Sequence, residues 1–463
     1  MKKIIPLVCF ILLTKFSYGQ FAHQNISLLG QFNDPTVVAE PVYQIRYQSC
    51  WGWVNPADQK EYGIIGSTAG TYIVDVSNPT SLVQSDYIPH RQTDCIWHEY
   101  KTYGNYLYII SDDGGINSLQ IADLSTLPDS ATIIYDSNSI FTHSHTLTID
   151  GNKMYVASVT AGTNYSSMNV YSLNNPALPV LLRRLDSDFS SISQVHDMFV
   201  VNDTVYASCG YSGLFIFHYD SIANHFTVLG SLTNFSTSRY NHSSFLSKDH
   251  QYLYMCDEVP TGLPFTVVNV SDILNPTIDG TYTTNIGATL HNPYVKDDFL
   301  YIAGYEDGLY VYNISTPNSP TLAGYFDTHP QNTPGSYSSQ AYQGAWAVYT
   351  DLPSGTILVS DMQYGLFTLD VNSITSGIKP IETRNDIKIY PNPAKDFFTI
   401  SLNHPEILCK ITMTNEIGKI ILSMTSINQT KINIQNNNFE KGIYFININC
   451  EKENITKKIC LIN

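Results

Sequence analysis

One module recurs seven times in this chain with a period of about 47 residues, and the first and last segments read as two parts of a single repeat. A complete module closes with a segment such as Pro320-Thr-Leu-Ala-Gly-Tyr-Phe-Asp327. A segment of that kind, Asn25-Ile-Ser-Leu-Leu-Gly-Gln-Phe32, already stands before the first complete module. The seventh module ends at Gly365-Leu-Phe-Thr-Leu-Asp370 and lacks one. A closing strand borrowed from the other end of the chain is how a ring of β-blades is latched shut, and closure removes the unpaired edges of an open stack.

Inside each module the order is the same. The fourth reads His196-Asp-Met-Phe-Val-Val201, a turn at Asn202-Asp203, Thr204-Val-Tyr-Ala-Ser208, a Gly-bearing turn, Leu214-Phe-Ile-Phe217, then Phe226-Thr-Val-Leu-Gly230. These are four short strands rich in β-branched and aromatic residues and bounded by turn formers. No segment has helical periodicity. The fold class expected is all-β: a seven-bladed β-propeller over residues 25–373, followed by a small Ig-like β-sandwich over 387–463, with a linker at 376–386. An array of β-sandwiches does not explain the split repeat.

The amino terminus reads as a secretory signal over residues 1–19. Lys2-Lys3 precede a short apolar run, Ile4 to Leu13, and Ser17 and Gly19 stand at the small-residue positions of a cleavage site before Gln20. That run is too short to span a bilayer, and no later segment is long enough, so no transmembrane segment is expected. Residues 20–386 carry 34 acidic and 12 basic side chains, whereas 387–463 carry 6 and 9. So acidic a body argues against nucleic acid as a partner, because phosphates require Lys and Arg. An oxidising destination permits disulfides, and Cys50 with Cys95 and Cys209 with Cys256 are possible pairs, free buried thiols being the alternative.

The repeats resemble the LVIVD repeats of secreted bacterial proteins, including the choice-of-anchor B family. The likeness is carried by Thr71-Tyr-Ile-Val-Asp-Val-Ser-Asn-Pro79 and Gly308-Leu-Tyr-Val-Tyr-Asn-Ile-Ser315. It implies an extracellular propeller and no settled activity, since propellers host many chemistries. The tail resembles the type A C-terminal sorting domain of the type IX secretion system of Bacteroidota, through Tyr390-Pro391-Asn392-Pro393, Gly418-Lys419 and Gly442-Ile-Tyr444. That resemblance implies recognition by the type IX secretion machinery, passage across the outer membrane, removal of the tail near residues 376–386, and release or attachment at the cell surface.

Chemistry concentrates at one position of the repeat. His98, His145, His196 and His291 each stand ten residues before the Tyr of the second strand, and His242 stands twelve before Tyr254. Trp346 lies twelve before Leu358, and Trp51 and Trp53 bracket the corresponding place in the first module. In a four-stranded blade this is the start of the innermost strand, at one mouth of the channel. The loops joining second and third strands open on the same face with Asp112, Asp113, Asp257, Glu258, Glu306, Asp307 and Asp361.

Three readings stay open. The histidines tie neighbouring blades through backbone hydrogen bonds; or His98, His145, His196, His242, His291, Trp53 and Trp346 form a cup for an extracellular glycan or protein; or the imidazoles bind a transition metal, as imidazole suits Zn, Cu, Fe and Ni. The function expected is that of a secreted or surface binding protein. A metal-assisted hydrolase or lyase at the His-rich mouth is the alternative. No Gly-x-Ser-x-Gly elbow, His-Glu-x-x-His helix or phosphate loop occurs, and no catalytic residue is assigned.

Overall fold

A computed structural model describes residues 21–285, 287–331, 337, 342–375, 388–406, 409–415, 419–426, 429–436, 439–450 and 454–462. The expected signal segment, the expected 376–386 linker with the cleavage expected there, and Gly418 lie outside the described residues. The chain divides into two units, residues 1–375 and 376–463.

In the first unit the described residues form seven antiparallel sheets, each built mainly of four strands in sequence order. Their first strands are Tyr47–Val54, His98–Tyr103, Leu147–Asp150, Asp197–Val201, Tyr240–Leu246, Asn292–Lys296 and Ala345–Tyr349. Each of these packs against the first strand of the next sheet, and Ala345–Tyr349 packs against Tyr47–Val54. The ring is closed, with the first strands innermost. Two β-branched and aromatic faces meet between every pair of sheets. Between the first and second, for example, Trp53, Tyr62 and Ile64 bury against Tyr100, Leu107 and Ile109.

The split repeat is real. Ser27–Phe32 pairs antiparallel with Gly365–Asp370 as the outer strand of the seventh sheet, and His23–Gln24 adds to Thr321–Phe326 at the outer edge of the sixth. Ile26, between them, is 1% exposed.

Outer strands carry a bulge where a glycine lets the neighbouring sheet's loop approach. A Cβ at Gly30 would lie 2.5 Å from the Pro79 carbonyl oxygen, and one at Gly230 would overlap the Ile273 carbonyl oxygen. Register shifts mark the ladder at both places. Gly230→Ala is therefore expected to destabilise the ring by about 1–3 kcal/mol through forced separation of the two backbones. Denaturant unfolding of the variant checks this, and a midpoint equal to wild type would refute it.

Of the two readings open for the cysteines, free buried thiols are the one found. Cys50, Cys95, Cys209 and Cys256 are buried free thiols. Cys50 Sγ faces the Ala347 carbonyl of the seventh sheet, whereas Cys95 Sγ lies beside the Thr93 carbonyl. Burial pushes the Cys50 and Cys95 thiols up to about 12, so neither is a reactive thiolate.

The second unit is a sandwich of a three-stranded sheet (Lys388–Tyr390, Phe397–Glu406, Gln429–Gln435) and a four-stranded sheet built on Cys409–Asn415 and Gly442–Cys450. Phe398, Ile400, Ile411, Met413, Ile446 and Ile459 form its core. Asn392 holds the last strand from both sides of its amide: Nδ2 donates to the Lys458 carbonyl at 2.9 Å, and Oδ1 accepts the Cys460 N–H at 3.0 Å. Tyr390 is partly exposed, and Gly442 opens the strand paired with Asn454–Leu461. Among the described residues no helix is long and apolar enough to cross a membrane.

Candidate functional site: a histidine arc at the channel mouth

Four of the five predicted histidines meet. Ring centroids of His145 and His196 lie 4.1 Å apart, His196 and His242 4.2 Å, and His242 and His291 4.1 Å; Trp346 continues the arc 4.6 Å from His291. The cause is the repeat itself: one register position at the head of consecutive inner strands places one side chain per blade around the axis.

These five residues line two cavities at once. On one side is a channel cavity of about 250 Å³, which Glu99, Lys101, Asp197 and Trp51 also line. On the other is an open cup of about 360 Å³, walled by Trp97, Tyr211, Tyr240, Tyr342, Gln194 and Glu258.

His98 does not join the arc, although its spacing to Tyr108 matches. It stacks on His90 with centroids 3.7 Å apart, and its Nε2 accepts from the Asn117 amide at 3.0 Å. Trp53 is also displaced from the expected cup: it is buried between the first two sheets, with its indole N–H donating to the Gly104 carbonyl at 2.9 Å. Spacing along a strand sets register, but the neighbouring loops decide where a ring finds a partner. Trp51, by contrast, reaches the channel with the Lys101 ammonium 4.1 Å above its ring.

Blade-to-blade ties are present in the same residues. His196 Nδ1 donates to the His242 carbonyl at 2.9 Å, and His291 Nδ1 donates to the Trp346 carbonyl at 2.9 Å. Either bond fixes the tautomer and leaves Nε2 as the ring's lone-pair nitrogen. Burial first, with the neighbouring imidazoles of the arc adding to it, holds His196 and His242 well below the usual histidine range. Burial takes His291 down to about 3. All three are neutral.

His145 is different. Burial opposes its charge, yet the Asp112 carboxylate at 2.5 Å, with Glu99 and Asp197 behind it, outweighs burial and raises it to about 9. The arc therefore begins with an imidazolium–carboxylate pair and continues as neutral rings.

Of the seven predicted loop acids, Asp112 and Glu258 reach the cup. Glu258 Oε1 accepts the Tyr305 hydroxyl at 2.7 Å, and burial raises its carboxyl. Asp257 pairs with Arg239 at 3.1 Å, and Asp113 accepts the Ile96 N–H at 2.6 Å. Asp307 holds Thr284, Asn285 and Tyr337, while Asp361 holds Thr328 and the backbone of Gln363 and Tyr364. Glu306 lines an adjoining pocket with Tyr337.

Spacing along the sequence does not single out Glu99, Lys101 and Asp197. Burial raises the Glu99 carboxyl first of all, against the Lys101 charge, the Ser49 hydroxyl at 2.8 Å and the Trp346 indole N–H at 3.3 Å. The signal that could find two of them is the position after each aligned histidine, which reads Glu99, Thr146, Asp197, Ser243 and Asn292.

Ring, channel and cup together define a β-propeller with a polar, aromatic-rimmed mouth, joined to a separate β-sandwich unit. Residues 388–462 match the secretion system C-terminal sorting domain, and residues 61–86 and 293–328 match the LVIVD repeat. The chain thus carries LVIVD repeats within its propeller and a type IX secretion sorting domain at its tail, and that domain indicates export to the cell surface or the medium. No curated protein matches the sequence. Among solved structures, a Bacteroides fragilis protein provisionally assigned as a 6-phosphogluconolactonase is similar at 10% identity, over 84% of this chain and 98% of its own, with a TM-score of 0.46. YCF48 bound to D1 peptide is similar at 11% identity, over 74% and 99%, with a TM-score of 0.45.

Proposed function

We propose that this exported propeller is a binding protein that takes an extracellular glycan into the cup above the histidine arc. The observation that carries this reading is the lining: aromatic faces of Trp97, Tyr211, Tyr240 and Tyr342 stand beside the polar ends of Gln194 and Glu258. Apolar ring faces cover the C–H faces of a sugar, and amide and carboxylate groups take its hydroxyls, which is the mixed chemistry of a small-ligand site. Tyr211 is 67% exposed, a large aromatic surface left to solvent at the rim.

A glycan array probed with the mature chain tests the reading. Trp97→Ala and Tyr211→Ala are each expected to weaken the best glycan at least about 10-fold, the loss of roughly 1.4 kcal/mol typical of an aromatic anchor. Absence of glycan binding, with capture of a protein partner through the same rim, would replace the ligand class. Equal glycan binding by wild type and both variants would remove the cup from the reading. A metal-assisted hydrolase or lyase at this mouth is the second reading, favoured by the grouping of His196, His242 and Glu258.

A further inference from the structure

We infer that His196, His242 and Glu258 form a binding site for one divalent transition-metal ion, of the zinc class, at the floor of the cup. Each residue offers one ligand atom, and these atoms lie within 4.8 Å of one another. Bonds of about 2.0–2.1 Å around a tetrahedron set ligand atoms about 3.4 Å apart, so small side-chain rotations close the site around an ion.

Three features distinguish this grouping from acidic residues that happen to meet. First, the His196 tautomer is set: its Nδ1–H is spent on the His242 carbonyl, which presents Nε2 as a lone pair. Anchoring one ring nitrogen so that the other faces the ion is the usual support of a metal-bound histidine. Second, His242 is 5% exposed and its Nδ1 makes no hydrogen bond of normal geometry, only a loose approach to the His291 carbonyl, so this buried ring is not locked into a blade-to-blade tie and can present a nitrogen to an ion. Third, the Glu258 carboxylate is held through one oxygen by the Tyr305 hydroxyl at 2.7 Å, leaving the other oxygen for coordination.

Two imidazoles and one carboxylate suit zinc, cobalt or nickel and do not suit calcium or magnesium, which prefer all-oxygen sets. Three protein ligands leave a fourth position, and here that position faces the open cup, where water or a ligand oxygen would complete the tetrahedron. The inference stands whichever ligand enters the cup.

The test uses tag-free mature chain, stripped with chelator and titrated with Co²⁺ while the visible absorption of tetrahedral cobalt is recorded; Zn²⁺ then displaces it. One Co²⁺ per chain is expected, with no competition from excess Ca²⁺. Glu258→Gln is expected to weaken Co²⁺ at least about 10-fold, and Tyr305→Phe, which keeps all three ligands, by a similar factor. His242→Ala is expected to abolish the one-to-one site. Circular dichroism melts establish that each variant is folded. A folded wild-type chain that gives no cobalt spectrum overturns the inference. So does a spectrum that survives unchanged in both Glu258→Gln and His242→Ala.

Discussion

A chain truncated to begin at Asn33 is expected to lose cooperative unfolding of the whole ring. Removing residues 21–32 takes away the strand paired with Gly365–Asp370, the short ladder with Thr321–Phe326, and the fully buried Ile26. It also removes Phe21, whose ring lies 5.5 Å from Phe326 and 5.4 Å from Phe367. Burial of Ile26, Phe21 and Phe32 is worth on the order of 5–10 kcal/mol by large-to-small core substitutions. That is comparable to the net stability of an ordinary domain. The exposed edge of Gly365–Asp370 would add a tendency to aggregate. Ile26→Ala alone is expected to cost about 2–4 kcal/mol. Calorimetry on the truncated chain decides the matter: a single transition at the wild-type temperature would show that the ring does not depend on its latch.

Acid is expected to unfold this protein well above the pH at which ordinary carboxylates titrate, and the buried His90–His98 pair is a main cause. Burial takes His90 down to about 3, and burial together with its neighbour takes His98 well below the normal range. The rings stack at 3.7 Å, so protonating one opposes protonating the other. His90 Nε2 meets the Thr71 hydroxyl at 3.0 Å and His98 Nε2 takes the Asn117 amide, with no carboxylate hydrogen-bonded to either ring.

The sign follows from linkage. The unfolded chain binds these two protons below about pH 6.5 and the folded chain does not, so the stabilisation is complete above 6.5 and is lost as pH falls toward 3. Two protons correspond to a slope of up to about 2.7 kcal/mol per pH unit. Glu99 and Asp197, whose carboxyls burial raises, act in the opposite sense at the acid end of this window. The double variant His90→Gln/His98→Gln should be less stable at pH 8 yet show a shallower fall between pH 6 and 4. A slope equal to that of wild type would place the acid sensitivity elsewhere.

Much of the mouth is legible in the amino-acid order. The ten- and twelve-residue spacings locate the heads of the inner strands, and His145, His196, His242, His291 and Trp346 meet there. The same spacing misplaces His98, because register says how far along a strand a residue sits and not which neighbour its ring will find. It stacks on His90, from the loop after the first sheet's outer strand. Trp53 departs from the expected cup for a related reason: an apolar surface that large is buried between sheets when a carbonyl there, that of Gly104, can take its N–H. Matching positions also suggest Cys50 with Cys95, although equivalent residues in neighbouring blades share a repeat position without sharing a facing direction.

A period of 47 residues with turn-bounded strands leaves few ways to bury seven two-sided sheets, and a half-repeat at each end leaves closure as the way to satisfy both edges. Ring, latch and sorting tail are thus determined by local pattern alone, since hydrogen-bonding period and hydrophobic alternation are properties of neighbouring residues. The cup is decided by the tertiary structure. Glu258 belongs to the end of the second strand of the fifth sheet, His196 to the head of the fourth and Asp112 to a loop of the second, and their meeting with His145 and His242 depends on the angle at which separate blades pack. Charge state depends on the same packing: one imidazole beside Asp112 is charged, while those beside backbone carbonyls are neutral, because burial penalises charge unless an opposite charge is folded against it.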